Sequence, residues 1–240
     1  MRVNKDFWLF NRPIAHRGLW GGEILENSLP AYKNAVDKGF PIEIDLYSSK
    51  DGVLFSFHDD TLVRMTGADG KIFDKTAKEL KQLRLSGSEH QIPTFDEILE
   101  LVDGKVPLLI ELKDQPDKNY VQTVVERLKS YKGEFALQSF NPVLIKKVKE
   151  LAPQFIRGIL GSNLKTDKLP AYKKFVVKNM PLNFIIKPDF ISYDFNCLPL
   201  KKRLKKRYPV ITWTLTSQQD ADKIKPYALN IIFEHFIPKW

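Results

Sequence analysis

Short apolar runs alternate along the chain with amphipathic stretches, and this alternation predicts strands followed by helices. PIAH (13–16) reads as a first strand and IEIDL (42–46) as a second, with VLFSFH (53–58) as its hairpin partner across a Lys50-Asp51-Gly52 turn. VPLLIEL (106–112), FALQSF (135–140), QFIRGIL (154–160), DFISY (189–193), PVITWTL (209–215) and LNIIFE (229–234) continue the series. A helix is expected at about 27–38, with Asn27 or Ser28 as N-cap, Pro30 in its first turn and Gly39 as its stop. Others are expected at 95–102, 142–151, 167–179, 200–207 and 218–224. In the stretch 120–131, Val121, Val124, Val125 and Leu128 recur at the spacing of a core-facing helix. Residues 59–93 read as a polar, loop-like insertion with one helical piece near 76–83.

With the hairpin counted as part of its strand, there are eight β/α units. Eight such repeats predict a closed (β/α)8 TIM barrel with a small insertion after the second strand; an open doubly wound sheet is the alternative. A chain of 240 residues is the length of one barrel, ~250 residues, and a single domain over 1–240 is expected.

Composition narrows the functional classes. The 38 Lys and Arg outnumber the 29 Asp and Glu, a formal charge of +9 that favours anionic partners such as phosphate esters, acidic membranes or nucleic acid. No aromatic-interleaved basic motif or recognisable nucleic-acid module is present, so no nucleic acid is expected. KKRLKKRYP (201–209) reads as a solvated helix face with Leu200 and Leu204 turned inward; weak attraction to anionic lipid is the sharper alternative. Cys197 is the single cysteine, which excludes an intrachain disulfide and a thiolate metal cluster. No apolar run is long enough to cross a bilayer or to form a secretory core, so a cytoplasmic location is expected. The run from Phe7 to Phe10 is read as a plug on the barrel's N-terminal face.

Barrel chemistry gathers at the C-terminal ends of the strands. Glu43 and Asp45, two apart on one strand, point to one face. Glu111 ends another strand, with Lys113 two residues on. Carboxylates crowded on an inner face repel one another and lose hydration. Two arrangements answer that cost: a hard divalent cation, Mg²⁺ or Ca²⁺, or a structural network of lysines. Spacing alone does not choose between them. His16 ends the first strand and is followed by Arg17, suited to bidentate phosphate contact, and by Gly18, which permits a sharp turn. His58 ends the hairpin strand. Two histidines so placed offer a general base and a general acid, or are structural. His90 and His235 are read as structural or surface residues.

In residue type, order and spacing, IAHRG (14–18), ENS (26–28), EIDLYSSKDGVLFSFHDDTLVRMTG (43–67), IPTFDEIL (92–99) and LLIELK (108–113) resemble the glycerophosphodiester phosphodiesterase family. The resemblance is specific over about 13–113. It implies a TIM barrel and one divalent metal, Mg²⁺ or Ca²⁺, held by Glu43, Asp45 and Glu111. It also implies an acid–base pair of His16 and His58, phosphate contacts from Arg17 and Lys113, and a substrate pocket lined by Trp213. The implied reaction is hydrolysis of a small-molecule glycerophosphodiester to glycerol 3-phosphate and an alcohol, a step of lipid metabolism. Alternatives are lysophospholipase D-type cleavage of a lipid diester and a non-catalytic phosphate- or nucleic-acid-binding barrel. The C-terminal third departs from the family pattern: Thr216 stands where an asparagine is usual, and the last strand ends IIFEHFIP (231–238).

Overall fold

In a computed structural model the chain is described over residues 3–4, 6–162 and 170–240. It divides into two compact units, one of residues 15–135 and one of 1–14 with 136–240. In the first unit the strands are β1 (Ile14–Ala15, its second residue), β2 (Ile42–Ser48), β3 (Leu54–Ser56) and β4 (Leu108–Leu112). β1 and β4 both pair parallel with β2, while β3 pairs antiparallel with it. The β2–β4 register sets Asp45 directly opposite Glu111, so two acidic side chains share a face across neighbouring strands. The second unit carries β5 (Phe135–Ser139), β6 (Arg157–Gly161), β7 (Phe190–Asp194), β8 (Val210–Leu215) and β9 (Asn230–Phe233), each pairing parallel with the next. Every strand is almost wholly buried, as parallel strands covered by helices must be. With β3 set aside as a hairpin arm, eight parallel strands alternate with helices, and the fold is the (β/α)8 barrel that the alternation predicts.

The helices obey local rules. Ser28 caps Leu29–Asp37 by accepting from the Ala31 N–H, and Pro30 occupies the first turn. Thr94 and Glu97 form a capping box at the start of Phe95–Val102. Tyr120–Lys129 buries the predicted Val121, Val124, Val125 and Leu128. The helix expected at 167–179 is present as Ala171–Asn179, with 167–169 outside the described residues. The expected 200–207 helix begins two residues later, at Lys202, and turns Leu204 inward. Trp8–Phe10 forms a buried 3-10 turn. The Asn230 amide, at the N-terminal end of β9, donates to the carbonyls of Leu9 (2.9 Å) and Arg12 (2.6 Å), the placement expected of a plug.

One expectation needs correcting. Residues 59–93 are not a loop-like polar insertion. Leu62, Met65, Ile72, Leu80, Leu85 and Ile92 pack with Tyr47, Phe55 and Phe57 into a hydrophobic core of their own. The backbone runs through short helices at Val63–Thr66 and Ala77–Leu80 and 3-10 turns at Ile72–Asp74 and Leu85–Gly87. Its apolar residues follow no sustained period of 3.6 or 2, because they come from several short helices and turns. No periodicity reveals such a core.

Leu80 is fully buried in this cluster. Leu80→Ala is expected to cost ~2–5 kcal/mol of stability and to lower the urea midpoint. A midpoint unmoved from wild type would show that the 59–93 segment does not contribute to the cooperative unfolding of the protein.

Candidate active site

β2 contributes Glu43 and Asp45, and β4 contributes Glu111. All three are buried, and their ligand oxygens lie within 4.8 Å of one another, the one such group found among the described residues. Cations surround it. Lys113 Nζ lies 3.0 Å from Glu111 Oε1 and 3.3 Å from Asp45 Oδ1, and Arg17 Nε lies 3.6 Å from Asp45 Oδ2. The Arg17 backbone N–H donates to Glu43 Oε2 at 3.1 Å. The Asn27 amide donates to Asp45 Oδ2 at 3.0 Å.

The connection from β1 to the first helix has to fold back sharply to make these contacts. Arg17, Gly18 and Asn27 all take positive φ, at 57°, 87° and 49°. A Cβ on Gly18 would lie 2.8–3.0 Å from the Cβ and backbone of Ala31, so glycine is required there by close approach as well as by conformation. Asn27 is fixed in turn by Tyr32, whose hydroxyl donates to its Oδ1 at 2.8 Å, and by Ser56 at 3.2 Å.

Charge is balanced unevenly over the three acids. Burial would raise the Asp45 carboxyl, but Lys113, His58 and Arg17, together with the Asn27 hydrogen bond, hold it well below the usual range. Glu43 is pushed well above that range by burial and then by the charges of Asp45 and Glu111. Glu111 is raised by burial, against Lys113 and with Asp45 adding to the rise. Burial opposes the charge on Lys113, yet Glu111 and Asp45 keep it firmly protonated. The lysine network anticipated as the alternative therefore exists, and Lys113 pairs with both Glu111 and Asp45, but burial still leaves Glu43 and Glu111 disfavoured as anions. An all-oxygen, buried, under-compensated cluster fits a hard divalent cation.

His58 follows β3 and is lowered from its ordinary value of 6.5, chiefly by burial. Its Nδ1 lies 2.8 Å from Asp59 Oδ1. Burial would raise Asp59, but Arg64 and then His58 bring it down to about 2, so it is an accepting carboxylate and His58 Nδ1 carries the proton. His16 follows β1, and its carbonyl accepts from Trp20 Nε1 at 2.9 Å. Trp213 lies on β8 in the other unit. Its ring meets Phe140 edge-on at 5.6 Å, and its indole N–H is buried with no hydrogen-bond partner. Sequence reasoning assigned no site role to Glu26, beyond its place in ENS, nor to Asn27 beyond capping, nor to Asp59 and Arg64. Glu26 accepts from Arg17 at 3.0 Å and from Arg64 at 2.5 Å. The positive φ of Arg17 and Asn27 that brings this set together has no signature in residue type.

The unit carrying the carboxylates holds 16 of the 38 Lys and Arg but 21 of the 29 Asp and Glu. The net charge of this unit is therefore negative, and the positive charge at the site is local, from Arg17 and Lys113.

A sequence model of the Glycerophosphoryl diester phosphodiesterase family matches residues 16–239. The chain belongs to that family. The match extends through the C-terminal third, where Thr216 and IIFEHFIP depart from the usual pattern. The glycerophosphodiester phosphodiesterase of Caldanaerobacter subterraneus subsp. tengcongensis is 30% identical over 228 residues, covering 88% of each chain. Among solved structures, a phosphodiesterase of Oleispira antarctica in complex with its product sn-glycerol-3-phosphate superposes with a TM-score of 0.78 at 25% identity, over 95% of this chain and 94% of that one. A glycerophosphodiester phosphodiesterase of Thermotoga maritima gives 0.71 at 26% identity, over 93% and 94%. This family member is accordingly a phosphoric diester hydrolase.

Two acids held above their ordinary range make the cation-free protein lose stability as pH rises. The folded state binds more protons than the unfolded one above about 4.5, the ordinary glutamate value, so the slope with pH is negative there. Chelator-treated Glu43→Gln is therefore expected to melt above chelator-treated wild type at pH 7.5, and to gain less from added Mg²⁺ or Ca²⁺. Equal melting temperatures with equal cation gains would remove Glu43 from the ligand set.

Proposed function

We propose that this chain hydrolyses glycerophosphodiesters to glycerol 3-phosphate and an alcohol, with one Mg²⁺ or Ca²⁺ held by Glu43, Asp45 and Glu111. The buried carboxylate cluster, ringed by Arg17 and Lys113 on a family-matched barrel, carries this reading. When bound, the cation supplies charge that neutralises the phosphate diester and acidifies a nearby hydroxyl. Arg17 and Lys113 receive the non-bridging oxygens and stabilise charge that builds on them as phosphorus is attacked. His16 takes the proton of the attacking hydroxyl as that oxygen bonds to phosphorus; where the attacker is the substrate's own glycerol rather than water, the cyclic phosphate so formed is opened by water in a second attack. The bond from phosphorus to the departing alcohol then breaks, and that oxygen takes the Nε2 proton of His58, which enters the step doubly protonated. His58 is left neutral, with its Nδ1–H still donating to Asp59. Trp213 is the substrate-contacting residue that the family resemblance implies.

The same reading treats 1–240 as one catalytic domain, since the family match runs through both compact units. A role in cytoplasmic lipid metabolism follows from the proposed substrate class and the single cysteine. No helix among the described residues is long and apolar enough to cross a membrane. The exposed basic side chains of Lys202–Arg207 support weak attraction to anionic lipid surfaces.

Turnover of glycerophosphocholine is expected to require a divalent cation and to exceed that of bis(p-nitrophenyl) phosphate and of lysophosphatidylcholine in kcat/KM. Full turnover by exhaustively chelated protein would sink the metal assignment, and preference for the lysolipid would favour lysophospholipase D-type cleavage. The histidine roles divide by leaving group. An alkoxide needs a proton to depart and p-nitrophenolate does not. His58→Ala should therefore lose roughly 10²-fold or more in kcat on glycerophosphocholine but far less on a p-nitrophenyl diester of glycerol phosphate. His16→Ala should damage both alike. The opposite pattern would reverse the two roles.

A further inference from the structure

The insertion sends one side chain back to the site. Arg64 sits on the Val63–Thr66 helix, whose Met65 is packed into the insertion's own core. Its guanidinium meets two carboxylates at once. Nε and Nη2 donate to Asp59 Oδ2 and Oδ1 at 2.5 and 2.9 Å, and Nη2 also donates to Glu26 Oε1 at 2.5 Å. The same Glu26 oxygen accepts from Arg17 Nη1 at 3.0 Å, and the same Asp59 Oδ1 lies 2.8 Å from His58 Nδ1. A continuous chain of charge-assisted contacts thus runs Arg17–Glu26–Arg64–Asp59–His58. Only a planar fork can satisfy both carboxylates in this way; a lysine presents one point charge.

We propose that Arg64 is a positioning residue for phosphodiester cleavage, tying the carboxylate that holds Arg17 to the carboxylate that fixes His58 in its Nδ1–H form. The proposal rests on the reading of His58 as general acid and Arg17 as phosphate contact. Its physical content is geometric. With Nδ1–H committed to Asp59, Nε2 is the nitrogen that takes up the second, transferable proton and faces the departing oxygen. With Arg64 in place, Asp59 keeps the lone-pair direction that commits it. The same guanidinium holds Glu26 where Arg17 needs it, so the phosphate contact and the proton donor are set by one residue. The insertion would then be a template for the site, and its small core the support on which Arg64 stands. A bland reading competes: Arg64 is half-exposed, at 49% of its side chain, and forms no more than surface ion pairs. Under that reading its loss changes little anywhere.

The test uses the full chain loaded with Mg²⁺. Arg64→Gln and Arg64→Lys are assayed on glycerophosphocholine and on the p-nitrophenyl diester of glycerol phosphate, with His58→Ala in parallel. Each variant's ¹⁵N imidazole shifts at His58 are read by NMR. The expected result for both substitutions is a kcat on glycerophosphocholine lower by about tenfold or more, a fraction of what a general acid contributes. On the aryl ester the kcat loss is expected to be clearly smaller, the part due to Arg17 alone, with KM raised on both substrates as Arg17 loosens. The ¹⁵N shifts are expected to move from the Nδ1–H form to a mixture of tautomers. Equal kcat losses on both substrates, no loss, or full activity of Arg64→Lys would each overturn the proposal. If His58→Ala shows no leaving-group dependence, the acid assignment itself has failed. The tautomer measurement then still decides whether Arg64 positions His58: unchanged shifts in Arg64→Gln would overturn it.

Discussion

Three carboxylates buried within 4.8 Å of one another, two of them still held above their ordinary range, are the constraint around which residues 15–135 are arranged. Such a cluster is unfavourable by itself, because each acid loses hydration and gains a like-charged neighbour. The chain meets this cost in three ways at once. Lys113 bridges Glu111 and Asp45 from the end of their own sheet. The turn after β1 is forced into left-handed backbone so that an N–H and a guanidinium from Arg17 reach the acids. An amide from Asn27, itself locked by Tyr32 and Ser56, takes the remaining oxygen of Asp45. Non-glycine residues at positive φ are costly, and Arg17 and Asn27 carry that cost in making these contacts.

The parallel strands make this clustering possible at no further conformational expense. Alternation along β2 puts Glu43 and Asp45 on one face, and the β2–β4 register adds Glu111 beside Asp45. A one-residue slip in that register would send Glu111 to the opposite face and dissolve the site. The apolar Ile42, Ile44 and Leu46, fully buried on the other side of the strand, hold the register against such a slip. Packing on one face thus fixes electrostatics on the other.

The barrel was legible in the sequence because its signals are periodic. Strand-length apolar runs, caps such as Ser28 and Thr94, and the i, i+3, i+4, i+7 face of Tyr120–Lys129 are local patterns that tertiary structure leaves in place. The acids, the histidines and Arg17 were legible as residues at strand ends. The insertion's core was not, since its apolar residues come from several short helices and turns with no sustained period. Arg64 and Glu26 were equally hidden: 38 positions apart, they meet only because that core brings the insertion back over the β1 turn. Neither residue's type nor its neighbours carries that information. Trp213 was legible only as part of a resemblance, and its buried, unpaired N–H is a fact of packing alone.

Lys113 has a chemical consequence of its own. Amine-reactive reagents attack only the neutral amine, and this lysine is both nearly buried and held protonated by Glu111 and Asp45. Many of the chain's other lysines stand in solvent with ordinary access. Covalent labelling would therefore paint those surface lysines and pass over Lys113 for as long as its acidic partners stay in place. Its silence in a labelling map is a report, read from outside the molecule, that the acidic cluster is still assembled.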